Sequence, residues 1–252
     1  MSGVSSSLKH GPVTLGSTRA GGGSSGGSGR RTKARRSTSP FTVVGVVLLV
    51  VGLACLGWVG YQYVGTNVVS EKAFETQREQ LRTRWDSERQ PDPRKRPEQQ
   101  AEDPVAGAPI ALLRIPAFGS AYEIPVLAGT GLDVLSEGVG HYSSTAQPGQ
   151  IGNFAVAGHR VTHGQPFARL MELNTGDAVV VETRDAIYTY VLDEPPRQLT
   201  VQDSDTWVID PVPGQPDAKP SQALITLTTC QDLFRSPDRS IGFGHLESTT
   251  NK

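Results

Sequence analysis

The chain has 252 residues, with 24 basic and 25 acidic side chains and a formal net charge of −1 at neutral pH. That length allows one or two ordinary domains. The charge is unevenly placed, because residues 1–40 carry seven basic and no acidic side chains, whereas residues 104–252 have a net charge of −7. The acidic balance of this larger part, without a basic patch, argues against a protein that binds nucleic acid.

The first segment, Met1–Pro40, is rich in serine and glycine as well as basic. Such a composition cannot bury enough apolar surface to order the backbone, so the segment is predicted to be a disordered basic tail.

The next segment, Phe41–Tyr63, has 23 residues and no charged side chain. A helix of this length crosses a hydrocarbon core of about 30 Å. Aromatic residues cluster at its far end, where the membrane interface favours them, and the segment is too long for the apolar region of a cleaved signal peptide. We therefore predict an uncleaved single-pass anchor. The basic tail before it places the N-terminus in the cytoplasm and the following residues outside the cell.

Residues 64–104 are predicted to form a charged stalk and a proline-rich linker. Within them, Ser70–Arg89 has apolar residues at spacings of 7 and 4 (Phe74, Leu81 and Trp85), which predicts a helix with a thin apolar stripe. This helix would rest on the bilayer or act as a spacer. Gln90–Pro104 contains four prolines among charged residues and is expected to be extended.

The folded domain is predicted to span residues 105–252. Its pattern is one of short strands separated by turns, which favours a mainly β, closed or nearly closed barrel. The predicted strands are Ile110–Ile115, Tyr122–Leu127, Asn153–Ala157, the hairpin Ala178–Thr183 and Ile187–Leu192, Leu224–Thr229 and Ser240–Leu246. A short helix is expected over Pro166–Leu173, where proline occupies the first turn.

One thiol is the strongest chemical signal. Ala223–Cys230 reads as a strand that ends on a cysteine, and the chain's other cysteine, Cys55, lies in the apolar segment. Cys230 therefore has no partner within the chain, and on the exported side an unpaired thiol is either a hazard or a working group.

Cysteine catalysis also needs a group that transfers protons and a group that stabilises an oxyanion. His159 ends another strand-like run and supplies an imidazole. Arg239 opens the last strand, and its guanidinium would face the sulfur of Cys230 if their two strands pair. Each residue taken alone also fits a structural or solvated role, so the pattern by itself leaves both interpretations open.

His163 follows His159 by four residues, a spacing that also occurs in zinc sites. Gly158 and Gly164 argue against the helix that this spacing requires, and no third ligand can be placed. We therefore expect no metal and no other cofactor.

Three separated motifs occur in an order typical of one enzyme family. They are LLRIPAFGSAYEIPVL, the segment GVGHYSSTAQPGQIGNFAVAGHRVTHGQPFARLMELNTGDAVVVET, and ALITLTTC followed by Arg239. Over about residues 112–246 the chain resembles the sortases, in particular the class E housekeeping sortases of Gram-positive actinobacteria.

The resemblance implies an eight-stranded sortase-type β-barrel with short helices. It also implies a transpeptidase that cuts a Leu-Pro/Ala-x-Thr-Gly sorting signal between Thr and Gly. The secreted protein would then be joined to an amine of a cell-wall precursor such as lipid II. By the same resemblance Cys230 is the nucleophile, His159 the acid/base and Arg239 the arginine that stabilises the transition state.

Further residues are weaker candidates for substrate binding: Thr228, which a strand also favours, His141, which lies in a segment matching the family near its active site, and Arg235. Class E relatives tend to have His-Pro-Lys-Phe after the cysteine, whereas residues 231–234 are Gln-Asp-Leu-Phe. This departure leaves substrate preference open. Arg239 is preferred to Arg235 as the transition-state arginine because of its register with the last strand.

Several other functions stay open from the sequence. A pilin-polymerising sortase would use the same three residues with a pilin lysine as acceptor. An L,D-transpeptidase also uses cysteine and histidine, but its Ser-His-Gly-Cys type motif is absent. A non-enzymatic, membrane-anchored binding domain is the remaining alternative.

Overall fold

The structure is a computed structural model that describes residues 39–89, 104–230 and 236–252, with Cys230 described by its backbone alone. The predicted basic tail up to residue 38, the proline-rich linker over 90–103 and Arg235 lie outside the described residues. The chain divides into two compact units, Met1–Val47 and Leu48–Lys252. The described part of the first unit is the beginning of the first helix.

Helix α1 spans Pro40–Gly60 and has no buried residue. Helical structure continues through a π-helical segment, Tyr61–Gly65, into helix α2, which spans Thr66–Arg89. Among the described residues, the continuous helix Pro40–Arg89 is the one that is long and apolar enough to cross a membrane. Its first part, α1, overlaps the predicted anchor, Phe41–Tyr63.

Helix α2 packs against the barrel through its apolar stripe, so the prediction of a free spacer is wrong. Its apolar stripe is buried: Leu81 is 1% exposed, and together with Trp85 it forms a cluster with Leu112 of the first strand. The Nζ atom of Lys252, at the end of the chain, lies 4.5 Å from the centre of the Trp85 ring. The stripe was visible in the sequence, but the surface that it covers was not.

Polar contacts complete the attachment of α2. The Arg78 guanidinium donates to the backbone oxygen of Glu123 at 2.8 Å, and the Arg82 guanidinium lies 2.7 Å from the carboxylate of the same residue. An ion pair with a solvent-exposed arginine, such as Arg82, contributes little stability, so we expect the buried stripe to provide most of the attachment energy.

The predicted eight-stranded closed barrel is confirmed. The strands are β1 Pro109–Arg114, β2 Ile124–Ala128, β3 Val139–His141, β4 Gly152–Gly158, β5 Ala178–Glu182, β6 Ala186–Gln202, β7 Ala223–Cys230 and β8 Asp238–Asn251. Their order around the barrel is β1-β2-β3-β4-β7-β8-β6-β5, with β5 paired to β1. The pairs β2–β3 and β4–β7 are parallel, and a short helix α3, Leu132–Leu135, lies between β2 and β3.

The predicted helix over Pro166–Leu173 is wrong. The segment forms turns and a 3₁₀ helix, Leu170–Glu172, with hydrogen bonds between residues three apart. The buried side chains explain this, because Phe167, Leu170 and Leu173 recur every third residue and all three enter the main core cluster. A spacing of three suits the 3₁₀ helix, in which such side chains fall on one face.

We expect that Leu81→Ala lowers the free energy of unfolding by about 2–5 kcal/mol, because truncating a buried leucine leaves a cavity between α2 and β1. Urea unfolding of the full chain in detergent micelles, followed by circular dichroism, measures this change. The exposed neighbour Gln80→Ala is the control, and its effect should stay within about 0.5 kcal/mol. Equal effects of the two substitutions would contradict the packing of α2 on the barrel.

Candidate active site

Three neighbouring strands bring the predicted catalytic positions into one row. In the parallel pair β4–β7, the last paired residues are Gly158 and Thr229. The next residues on the two chain segments are His159 and Cys230, so these two positions are neighbours. In the antiparallel pair β7–β8, Cys230 is opposite Arg239. Adjacent strands are about 4.8 Å apart, so the backbone at these three positions is close together. We call this set the 159–230–239 row.

The row belongs to the face of the sheet that points away from the barrel core. Side chains alternate along a strand, and Ile225 and Leu227 of β7 lie in the core cluster. Position 230 therefore falls on the opposite face, which we call the outer face. Val156 of β4 is in the core too, which places position 159 on the outer face by the same alternation.

The backbone around His159 is fixed from two sides. The backbone oxygen of His159 accepts a hydrogen bond from the amide of Phe167 at 2.9 Å, and the hydroxyl of Thr229 donates to the oxygen of Gly158 at 2.8 Å. A Cβ atom on Gly158 would lie 2.7 Å from the Phe167 ring. The Gly-His sequence thus has a packing reason, since only glycine lets Phe167 approach β4 this closely.

The imidazole of His159 is partly buried and stacks on that of His163, with 4.7 Å between ring centres and 28° between planes. Burial, and then the charge of His163, lower the pKa of His159 from its ordinary 6.5 to about 4. Within the described parts of the chain, its buried Nε2 atom has no hydrogen-bond partner. The ring is therefore neutral near pH 7.

Arg239 is held in place by its own loop. Its Nη1 atom donates to the backbone oxygens of Ser236 at 2.6 Å and Asp238 at 3.1 Å. Its Nη2 atom lies 3.5 Å from a carboxylate oxygen of Asp203, which follows β6. Asp203 could not be found from local sequence patterns, because the antiparallel pairing of β6 with β8 brings it to the guanidinium.

Thr228 precedes position 230 by two residues on β7 and therefore lies on the same outer face. Its side chain is buried, and its hydroxyl lies 3.5 Å from that of Tyr142. Tyr142 was not singled out in the sequence, although it lies in the GVGHYSS motif. Its position beside the row depends on the approach of the β3–β4 connection to β7.

His141 lies on the other side of the sheet, with its ring stacked on core residue Phe154 at 5.0 Å between centres. It is 1% exposed, and its Nε2 atom is 3.0 Å from the backbone oxygen of Ala146 and 3.1 Å from the hydroxyl of Thr145. These contacts shape the turn after β3. A contact with substrate, for His141 as for Arg235, stays a prediction.

No group of three or more histidine, cysteine, aspartate or glutamate side chains could hold a metal ion among the residues that the structure describes.

A closed barrel with a cysteine, a histidine and an arginine at neighbouring backbone positions is an arrangement suited to cysteine-dependent acyl transfer. A family model, the Sortase domain, matches residues 113–247, more than half of the chain. The chain belongs to the sortase family, and it is a cysteine transpeptidase. The family implies substrates that carry a sorting signal and an amine that accepts the cleaved protein.

The similar proteins include class E sortases of Streptomyces. Sortase SrtE2 of Streptomyces coelicolor is 32% identical over 239 residues, which cover 89% of this chain and 88% of that protein. Sortase SrtE1 of the same organism is 34% identical over 81% of this chain, but the match covers 56% of SrtE1. The structure of sortase E from Streptomyces avermitilis superposes with a TM-score of 0.53 at 43% identity, covering 58% of this chain and 93% of that one.

The low pKa of His159 predicts a loss of stability in acid. The unfolded chain binds a proton on this ring below about pH 6.5, whereas the folded chain resists protonation until about pH 4. The free energy of unfolding therefore decreases progressively as the pH falls from 6.5 to 4. His159→Gln should remove about 1–2 kcal/mol of this pH dependence, after allowance for partial exposure. Urea unfolding at pH 7 and pH 4.5 measures the difference, and parallel losses in both proteins would contradict the prediction.

Proposed function

We propose that this chain is a membrane-anchored housekeeping sortase. It cleaves a Leu-Pro/Ala-x-Thr-Gly-type sorting signal between Thr and Gly and transfers the protein to an amine of a cell-wall precursor. The observation that carries the proposal is the register of β4, β7 and β8, which puts positions 159, 230 and 239 side by side on the outer face. The tripeptide in the active site of sortase E1 from Streptomyces coelicolor, a structure 36% identical to this chain, supports a peptide substrate.

In the first half-reaction, the thiol proton of Cys230 passes to the imidazole of His159, and the thiolate attacks the carbonyl carbon of the signal threonine. The tetrahedral intermediate collapses as its C–N bond breaks, and His159 returns the proton to the leaving glycine nitrogen. A thioester remains on Cys230. In the second half-reaction, an amine attacks this thioester, His159 accepts the amine proton, and the thiolate leaves and is reprotonated.

The neutral imidazole fits this sequence of steps. With its pKa near 4, His159 is unprotonated near pH 7 and free to accept the thiol proton, but only as a weak base, and the imidazolium that forms is a correspondingly stronger acid than an ordinary one. A strong acid readily protonates an amide nitrogen, which is otherwise a poor leaving group. The same low pKa makes the ion pair of Cys230 thiolate and His159 imidazolium a minor state before substrate binds.

Arg239 is proposed to stabilise the negative oxygen of the tetrahedral intermediate. Its contacts with two backbone oxygens and Asp203 hold the guanidinium without using all five N–H donors. A donor that is already oriented costs little reorganisation when charge develops on the substrate.

The apolar helix α1 supports the anchor in the proposal, with the basic tail in the cytoplasm and the barrel outside the cell. Substrates carrying a C-terminal sorting signal, themselves held in the same membrane, would meet the enzyme at a raised effective concentration.

Cys230→Ala is expected to abolish thioester formation with a Leu-Ala-x-Thr-Gly or Leu-Pro-x-Thr-Gly peptide, because a thioester requires a thiol and Cys230 is the cysteine of the row. Intact-protein mass spectrometry reports the thioester as a mass increase. Cys55→Ala is the matched control, since this exposed cysteine lies in the apolar helix, and it should leave the yield unchanged. Loss of the thioester in both variants, or in neither, would contradict the assignment.

Arg239→Lys should lower the single-turnover rate of acylation by about a hundredfold, because lysine cannot reproduce the forked donors at the oxyanion. Peptide affinity should change by less than about threefold if the interaction forms mainly in the transition state. Rapid-quench kinetics and fluorescence anisotropy measure the two quantities. Arg197→Lys, which also alters an arginine bound to a backbone oxygen, serves as control. Equal losses in rate and affinity would argue against the oxyanion role.

A further inference from the structure

The loop that follows β4 has an unfavourable backbone conformation. Three consecutive residues have positive φ angles, namely His163 at 55°, Gly164 at 74° and Gln165 at 49°. For residues other than glycine this region costs roughly 1–2 kcal/mol each, so such a loop persists only where its surroundings hold it.

The first turns of α2 provide that support. The amide of Gly164 donates to the side-chain oxygen of Asn67 at 2.9 Å, and the amide of His163 approaches the hydroxyl of Thr66 at 3.5 Å. The Nδ2 atom of Asn67 donates to the oxygen of Tyr63 at 2.7 Å, which fixes the side chain on its own helix.

Apolar packing also contributes to the contact between α2 and the loop after β4. Phe74 is 4% exposed, and a Cβ atom on Gly164 would lie 2.5 Å from its ring. Gly164 is thus required both by its φ angle and by the approach of Phe74. The loop and the helix therefore share a partly buried, hydrogen-bonded contact, with the Phe74 ring as its buried part.

The supported loop carries the ring that covers the proposed acid/base. Asn67 binds the backbone next to His163, and the His163 ring stacks on His159. A continuous series of contacts therefore leads from α2 to the imidazole in the 159–230–239 row.

We propose that Asn67 is a positioning residue for the transpeptidase reaction: through Gly164 and His163, the membrane-proximal helix α2 holds the His159 imidazole beside position 230. This inference rests on the proposed function, because it requires His159 to be the acid/base. It gives α2 a positioning role in the reaction, exerted through the loop after β4.

The test compares four full-length chains in lipid nanodiscs: wild type, Asn67→Ala, Asn67→Asp and Gln77→Ala. Gln77 is the matched control, because it is also an amide side chain of α2 that makes one hydrogen bond to the barrel, to Glu137 at 2.6 Å. Asn67→Asp retains an oxygen acceptor for the Gly164 amide. Acylation kinetics with a sorting-signal peptide, thermal unfolding and hydrogen exchange of residues 159–165 are measured for each chain.

Asn67→Ala should lower kcat by about tenfold with KM within about twofold, because a misplaced acid/base slows chemistry more than binding. Exchange over residues 159–165 should accelerate in this variant. Asn67→Asp should remain within about threefold of wild-type kcat, and Gln77→Ala should match wild type in both measurements.

Equal kinetics for Asn67→Ala and Gln77→Ala on an active wild-type background would overturn this inference alone. The same holds if kcat falls only in proportion to a lowered melting temperature, or if Asn67→Asp loses as much activity as Asn67→Ala. A wild-type chain that forms no thioester would instead overturn the proposed function, and this inference with it.

Discussion

The pairing register of β7 with its two neighbours is the constraint on which the candidate site depends. A shift of one residue would move position 230 from the outer face to the core face and separate it from Arg239. Buried side chains on both faces oppose such a shift. Ile225 and Leu227 are fully buried on the core face, and on the outer face the hydroxyl of Thr226 donates to the side-chain oxygen of Asn153 at 2.8 Å. The side-chain amide of Asn153 in turn donates to the backbone oxygens of Val208 and Asp210, which follow β6. A buried polar network with its partners in place specifies one register more sharply than apolar contacts do, because a slip would leave polar groups unpaired.

Sequence patterns predicted the residues of the row but only part of their surroundings. Cys230 and His159 each end a run with strand character, and Arg239 begins one, so local patterns placed all three at strand ends. The motif resemblance supplied the strand count. Asp203 could not be predicted, because its contact with Arg239 depends on the pairing of strands distant in sequence. Strand β3, Val139–His141, was missed because it has only three residues, one of them glycine, too few for an alternating pattern.

Helix α2 shows the difference between predicting an element and predicting its partner. The stripe of Phe74, Leu81 and Trp85 was recognised, but a stripe states only that one face is apolar. An apolar stripe of this kind can pack equally well on a membrane surface or on a β-barrel, and the sequence does not distinguish the two. The barrel is distinguished by directional contacts, such as the Asn67 oxygen that meets the Gly164 amide, and those contacts exist only once the β4 loop has adopted its left-handed conformation.

The position of the His159 ring and its low pKa have a common structural origin. The loop that brings His163 over His159 also removes the ring from water, and this desolvation is the largest cause of the low pKa. A looser loop would expose the ring, raise its pKa toward the ordinary value and give a larger fraction of imidazolium, but it would also lose the alignment with position 230. A proton donor must be both acidic and within reach of the leaving nitrogen. In the proposed mechanism, the partly buried contact between α2 and the loop therefore favours a strong, well-placed acid over an abundant one, and it requires a strained backbone that a helix outside the barrel holds in place.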